Sequence, residues 1–501
     1  MLPLLTAQQI HEADAYTISH EPVTSVNLME RASKAFVSRF MQHFPDKAQT
    51  ISAYCGSGNN GGDGLAIARM LNEHGYRQLN VKVVRFSDKA TDDFNTNLHR
   101  FQHLSVPLLE IEKGGNFPPE DSAIIIDALL GSGLNKPLSG DYEQLVKHLN
   151  QLEKTVVAVD VPTGLPTEGA VSKEATILKA KLVITFQQPK INFLLPESGP
   201  HMESWEAVDI GLDDTYLQSL NSPYQLIEKG DIKTILKPRH KFSNKGTYGH
   251  ALLVAGQAKT MGAALLCSSA CVYAGAGLTT VCIPESGLTA LNSYQAEVMA
   301  IIREQDQLPE IEWDKFSVIG VGPGLGKDDN ALALLKNILA NYHKPMIIDA
   351  DALNLLATHQ ELLQQLPKGS IVTPHMKEFD RLFGEHDTWW NRLQTLKQKA
   401  QELQINIVLK NDYTITGTPD GKLYFNSTSN AAMASGGMGD ILTGIITALV
   451  AQKYTPEQAC LAGVYLHGKA GDVLALPNQL HVVLPGQVAA KIPAVIAQLT
   501  A

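Results

Sequence analysis

Short apolar runs of strand length alternate with helix-period segments along most of this chain, and that alternation limits what it can fold into. Residues 51–55, 81–85, 123–127, 155–159 and 182–185 are such runs, and 251–255, 317–321, 346–348, 371–373 and 407–409 repeat the pattern. Alternation of this kind predicts parallel sheets covered by helices on both faces. In such sheets ligands bind beyond the carboxyl ends of the strands, so the residues just after each run are where function is sought. At 501 residues the chain is long enough for two such domains. The periodicity lapses between residues 211 and 231, where Asp213-Asp214, Asn221-Ser222-Pro223 and Gly230-Asp231 are turn chemistry, and the linker is placed there.

In the first half, two amphipathic helices are expected over 6–19 and 27–43, the first capped by Thr6. The run 51–55 leads into Gly56-Ser57-Gly58-Asn59-Asn60-Gly61-Gly62-Asp63-Gly64 and then a helix expected over 65–74. Glycines let backbone pass close to a ligand, and a following helix N-terminus offers free N–H groups to an anion. The run 123–127 ends in Asp127, followed by Ala128-Leu129-Leu130-Gly131-Ser132-Gly133-Leu134; 155–159 is followed by Asp160-Val161-Pro162-Thr163-Gly164. Each acid alone fits a loop cap as well as a site residue. Together with the Asn-rich loop they suggest oxygen ligands for a hard cation around Asn60, Asp127 and Thr163.

The second half opens with a basic loop, Arg239 to His250, that reads either as solvated or as meeting a substrate phosphate. Later strand ends carry Gly322-Pro323-Gly324-Leu325-Gly326, Asp349-Ala350-Asp351, Thr373-Pro374-His375-Met376-Lys377-Glu378 and Lys410-Asn411-Asp412-Tyr413-Thr414. Near the end, Gly436-Gly437-Met438-Gly439-Asp440 runs into Ile441, Leu442, Ile445, Ile446 and Leu449, spaced as one face of a helix. A glycine loop feeding a helix N-terminus would face an anion, with Asp440 beside it. The alternative is that Asp440 caps the helix and the glycines make a tight turn.

The net charge of −10 argues against a general nucleic-acid binder. Cys55, Cys267, Cys271, Cys282 and Cys460 have no metal-ligand spacing, and a sparse, odd count fits a reducing compartment. The N-terminus lacks a basic start and a long apolar core, so no signal peptide is expected, and the most apolar window, 441–451, is too short to span a bilayer. A soluble cytoplasmic protein is expected.

Over residues 1–215 the glycine loop at 58–64, Asp-Ala-Leu-Leu-Gly-Ser-Gly-Leu and Asp-Val-Pro-Thr-Gly resemble the NAD(P)H-hydrate epimerase family. The resemblance implies a Rossmann-like three-layer α/β/α domain with K⁺ held around Asn60, Asp127 and Thr163. It implies substrate contacts from Asn59, Asn60, Gly61, Gly62, Asp63, Gly131, Ser132, Gly133, Leu134, Asn135, Lys136, Pro137 and Asp160, with Asp160 the acid/base group. Over 225–501 the chain resembles the ribokinase-like superfamily, and more narrowly the ADP-dependent NAD(P)H-hydrate dehydratases. That match rests on Lys-Gly-Thr-Tyr-Gly, Gly-Pro-Gly-Leu-Gly, Asp-Ala-Asp-Ala-Leu, Thr-Pro-His and Gly-Gly-Met-Gly-Asp. It implies a second three-layer α/β/α domain. Ala263, Gly324, His375 and Asp440 would contact the hydrated nicotinamide nucleotide, with Asp440 catalytic. Lys410, Asn411, Asp412, Tyr413, Thr414 and Gly439 would contact ADP, with Mg²⁺ as cofactor. Relatives often carry Gly where this chain has Lys377 and Ser where it has Met438.

The order of the two halves resembles the bifunctional repair enzymes: epimerisation of the R and S hydrates first, then ADP-dependent dehydration of the S hydrate. The implied partners are the hydrates of NADH and NADPH and ADP, with no nucleic acid and no membrane, and whether the chain forms a homo-oligomer stays open. Two other readings compete. One is a ribokinase-like kinase for a vitamin precursor fused to a regulatory domain; the other is a nucleotide-sensing scaffold with dead sites, which the acids Asp127, Asp160 and Asp440 disfavour.

Overall fold

The structure, a computed structural model, describes residues 1–134, 136–304 and 309–500. The chain divides into two compact units. One comprises Pro3–Ser222 with Thr388–Trp390; the other comprises Met1–Leu2, Pro223–Asp387 and Asn391–Ala501.

The first unit is built on strands β1 (Ile51–Cys55), β2 (Leu79–Arg85), β3 (Leu108–Glu112), β4 (Ile124–Ala128), β5 (Thr155–Val159), β6 (Ala180–Phe186) and β7 (Met202–Val208). They form one sheet in the order 3-2-1-4-5-6-7, and every neighbouring pair is parallel. Side chains alternate between two cores: Ala53, Val83, Ile126 and Val157 enter one, Tyr54, Val84, Ile125 and Ala158 the other. A sheet buried on both faces needs apolar residues at every position, which is why these strands read as continuous runs rather than alternating ones. β3 and β7, with exposed residues such as Glu110, Glu112 and Ser204 on the edges, did not stand out in the sequence for the same reason. Helices α1 (Ala7–His20), α2 (Ser25–His43) and α3 (Asn59–Glu73) pack around this sheet. Thr6 caps α1 with a reciprocal Thr6–Gln9 capping box. α3 begins at Asn59, six residues earlier than the glycine content predicts. The glycines are the helix's first turn, not a loop: a Cβ on Gly61 would stand 1.7 Å from the Gly56 carbonyl oxygen.

The second unit holds β8 (Tyr224–Ile227), β9 (His250–Val254), β10 (Leu278–Pro284), β11 (Met299–Arg303), β12 (Val318–Val321), β13 (Ile347–Ile348), β14 (Ile371–Val372), β15 (Asn406–Leu409), β16 (Ile415–Gly417) and β17 (Leu423–Asn426). Their order is 8-17-16-15-14-13-12-9-10-11. The strands from β15 to β11 are parallel; β15–β16 and β16–β17 are antiparallel. β8 falls in the stretch expected to be linker, and it pairs with β17 in parallel. Helices α4 (Met261–Tyr273), α5 (Met376–Phe383) and α6 (Met438–Ala451) carry the site. α4 and α6 run side by side because small residues let them: a Cβ on Gly444 would lie 2.2 Å from the Cys267 carbonyl oxygen. Among the described residues, no helix is long and apolar enough to cross a membrane.

Candidate active sites

In the first sheet the strand order reverses between β1 and β4, and a crevice opens at their carboxyl ends. A cavity of about 540 Å³ lies there, lined by Asn59, Asn60, Asp63, Gly131, Ser132, Gly133, Leu134 and Asp160 among others. Gly61 and Gly62 are buried within the first turn of α3. Lys136 and Pro137 are exposed and do not line the cavity, and Asn135 lies outside the described residues. Asp160 has φ of +63°, a left-handed conformation that an Asp adopts at a cost and that turns its side chain toward the crevice mouth.

Asn60, Asp127 and Thr163 come together. Thr163 donates to Asp127 from Oγ1 at 2.6 Å and from its backbone N–H at 2.8 Å, and Leu129 N–H adds a third bond at 3.2 Å. Thr163 Oγ1 also meets the Leu130 backbone, and the Asn60 amide packs on Gly131, next along the chain. Asp127 is fully buried, and that desolvation pushes its carboxyl up to about 6 against the hydrogen bonds from Thr163 and Leu129. Among the described residues, Asn60 Nδ2 is buried without a partner. Turning that amide over would place its oxygen there instead. The donor set of amide, carboxylate and hydroxyl oxygens fits a hard cation.

In the second unit the residues singled out come from the carboxyl ends of β12, β13, β14 and β15 and from the starts of α4 and α6. Asp440 is the third residue of α6, not its cap: the cap is Gly437, at φ of +95° with no side-chain bond. Left-handed backbone and a Leu266 methyl 2.7 Å from where a Cβ would stand both require glycine at 437. Met438 is mostly buried in the core but also lines a cavity beside Gly439, so it does not point wholly away from the site. Lys377 lies inside the first turn of α5, where any side chain is accommodated.

Asp349, at the end of β13, organises the centre. It is 1% exposed; its Oδ1 accepts from Lys410 Nζ at 2.9 Å and its Oδ2 from Thr443 Oγ1 at 2.7 Å. Lys410 Nζ lies 3.4 Å from the Cβ position of Gly439, so this pair sits against the entry to α6. Burial, then the Asp349 carboxylate, push Asp440 up to about 7 against the pull of Lys410. His375 caps α5: its Nδ1 accepts from Lys377 N–H at 3.0 Å and Glu378 N–H at 3.3 Å, which leaves Nε2 as the protonated nitrogen. Burial and Lys410 hold its pKa below the usual value, so it is a neutral donor.

His375, Lys410, Asn411, Asp412, Thr414 and Gly439 line one cavity of about 420 Å³; Tyr413 is not among its lining residues. Ala263 and Gly324 meet each other, Thr260 Oγ1 donating to the Gly324 carbonyl at 2.7 Å. The parallel packing of α4 on α6 brings Ala263 to the same end of the sheet as Asp440. The basic loop from Arg239 goes elsewhere. It precedes β9, so it lies at the amino ends of the strands, packed near Gly277 and against the last residue of α6, Ala451. Arg239 stacks on Tyr248 and donates to the Gly275 carbonyl. Among the described residues, no group of three or more His, Cys, Asp or Glu is assembled to hold a metal ion.

Asp349, Thr443, Asp14 and Lys190 were not anticipated as site residues. Asp349 had a signal, since it opens Asp-Ala-Asp after a strand; Asp14 had none, being one polar residue on an amphipathic helix.

Comparison with known proteins covers both halves. A family profile described as YjeF-related protein N-terminus matches residues 25–192, and one described as NAD(P)H-hydrate dehydratase matches 251–494. A protein of Moorella thermoacetica named bifunctional NAD(P)H-hydrate repair enzyme is 30% identical over 515 residues, covering 99% of this chain and 97% of its own. One of that name from Escherichia coli is 34% identical over 456 residues, 90% of this chain and 86% of its own. A solved ADP/ATP-dependent NAD(P)H-hydrate dehydratase from Bacillus subtilis, crystallised with ATP and Mg²⁺, is 28% identical, covers 55% of this chain and 98% of its own, and has a TM-score of 0.47. Similarity at this level along nearly the whole length, with an acid at the mouth of each sheet, makes this chain a member of the bifunctional NAD(P)H-hydrate repair enzyme family.

Proposed function

We propose that this chain restores NADH and NADPH from their hydrates in two steps. The first unit interconverts the R and S hydrates, and the second dehydrates the S hydrate at the expense of ADP, releasing AMP and phosphate. The observation that carries this reading is similarity to the bifunctional enzymes along nearly the whole chain, across both halves. Five free, buried cysteines suit action in the reducing cytoplasm.

In the second unit Asp440 takes the proton of the hydroxyl on the carbon beside the ring nitrogen. With Asp440 pushed up to about 7, its basic form grows in as pH rises through neutrality. The freed oxygen attacks the β-phosphorus of ADP and AMP departs. The ring nitrogen's lone pair then expels phosphate, and loss of a proton from the next carbon restores the reduced ring. Lys410, anchored on Asp349 beside the N–H groups that open α6, faces the phosphates, and His375 Nε2–H and the Ala263–Gly324 corner orient the nicotinamide half. Mg²⁺ bound with the nucleotide would supply charge neutralisation on the transferring phosphate. In the first unit Asp160 handles protons, while Asn60, Asp127 and Thr163 would hold K⁺, whose charge would offset that of the buried Asp127 carboxylate.

One assay tests the whole reading: mix the chain with hydrated NADH and ADP and follow the reduced-nicotinamide absorbance. Complete recovery from an R/S mixture is expected. Asp160→Ala should leave one epimer behind; complete consumption at the wild-type rate would sink the role of the first unit. A kinase would show no recovery.

A further inference from the structure

Two charged side chains in the first cavity have no role in the reading above: Asp14 from α1 and Lys190, just beyond β6. They give Asp160 two unlike oxygens. Oδ1 accepts from Lys190 Nζ at 2.8 Å, Phe186 N–H at 3.0 Å and Thr185 Oγ1 at 3.1 Å. Lys190 is itself buried, and its other bonds go to the Phe186 carbonyl at 3.0 Å and the Gln188 carbonyl at 3.4 Å. Among the described residues no hydrogen bond ends on Asp160 Oδ2, in a side chain that lines the cavity. These three donors, one of them an ammonium, hold Oδ1 in place and leave Oδ2 to the cavity. Asp160 therefore meets its substrate as a proton acceptor, with a fixed oxygen facing it.

A group acting as proton acceptor does not protonate a departing hydroxyl. It can remove that hydroxyl's proton, and the bond that then breaks is the one from the same carbon to the ring nitrogen. The nitrogen needs a proton in return, and Asp14 is placed to give it. Asp14 lines the same cavity and makes no hydrogen bond or ion pair among the described residues. The charged groups around it are His11 on its own helix, Asp63 on α3, Asp160, Lys190, and Glu168, which accepts from Ala7 N–H at 3.1 Å where α1 begins. Burial, then Asp160, push the Asp14 carboxyl up to about 6.

We propose that Asp14 is the proton donor that complements Asp160 in epimerisation, with Lys190 as a positioning residue, and that the hydrated ring opens between carbon and nitrogen. The proposal rests on the epimerase reading of this unit and specifies its chemistry. Asp160 Oδ2 takes the hydroxyl proton, the O–H electron pair forms the carbonyl, and the C–N pair moves to nitrogen, which takes the Asp14 proton. The products are an aldehyde, a neutral Asp160 and an ionised Asp14. Rotation about the adjacent C–C bond presents the other carbonyl face. The reverse steps return both protons and close the ring with inverted configuration, and no oxygen leaves.

The test uses the full-length chain, purified R hydrate of NADH without ADP, and H₂¹⁸O, with the epimers resolved by NMR. Asp14→Asn is expected to lower kcat for epimerisation by about 100-fold or more, the usual worth of general acid catalysis, with KM little changed. ADP-dependent dehydration of purified S hydrate by the same variant should stay at the wild-type rate, which controls for folding. Lys190→Met should lower kcat for epimerisation with KM little changed, and Lys190→Arg should restore most of it, a split and a rescue that a merely structural role would not produce. The S hydrate formed by wild type should retain ¹⁶O. A near-normal epimerisation rate in Asp14→Asn, or one ¹⁸O incorporated per inversion, overturns the proposal. A wild-type chain that leaves R hydrate unconverted sinks the epimerase reading itself, and the proposal with it.

Discussion

Asp440 and Asp349 show how a single buried charge sets the chemistry of its neighbour. Asp440→Asn removes the proton acceptor and should cut dehydration by roughly 10²–10⁴-fold, while R/S interconversion continues at its normal rate. In wild type, kcat/KM for dehydration should climb with pH to a plateau, with a midpoint near the value of about 7 to which Asp440 is raised. Asp349→Asn deletes the carboxylate whose charge adds to burial in raising Asp440, and also the anchor of Lys410. Its pH midpoint should fall below that of wild type, and its KM for ADP should rise several-fold. An unmoved midpoint in a pH–rate series would show that Asp349 does not govern Asp440.

At the scale of elements, both sites depend on how a helix begins. Gly437→Ala would force an L side chain into a left-handed position against Leu266. A cost of about 1–3 kcal/mol is expected, read as a lowered melting temperature together with lost dehydration. The first sheet has its own dependency away from the site. Lys82 Nζ and Glu120 Oε2 lie 2.5 Å apart, nearly buried, with Tyr54 and Ser52 bonded to the same carboxylate. Glu120→Ala strands a buried ammonium and should destabilise the first unit by roughly 3–5 kcal/mol in denaturant unfolding.

Over the whole molecule, the two activities should respond separately to ions. Asp127 is raised to about 6 in the fold, so its ionisation opposes folding. Its contribution is favourable below the unfolded carboxylate range and is lost as pH rises through about 6. A cation bound beside it would offset that loss. K⁺ should therefore raise the melting temperature more at pH 7.5 than at pH 4.5, and replacing it with a bulky organic cation should slow epimerisation but not dehydration. Equal shifts at the two pH values would remove Asp127 from the cation site.

The sequence by itself determined the class of fold, because strands buried on both faces must be apolar throughout and helices between them must be amphipathic; 51–55 and 155–159 were legible to the residue. It also placed Asp127, Asp160 and His375 at strand ends and Asp440 after a run of glycines. Edge strands such as β3 and β11 were not legible, since partial exposure dilutes their apolar signal. Nor was the start of α3, because glycines packed against Gly56 look like loop glycines until that packing is seen. Only the tertiary structure decided which polar residues meet. Lys190 reaches Asp160 from thirty positions away and Lys410 reaches Asp349 from sixty-one, and Asp14 faces both members of the first pair from the far end of its unit. Periodicity reports which face a residue is on, while electrostatics depends on distances that only the folded chain sets.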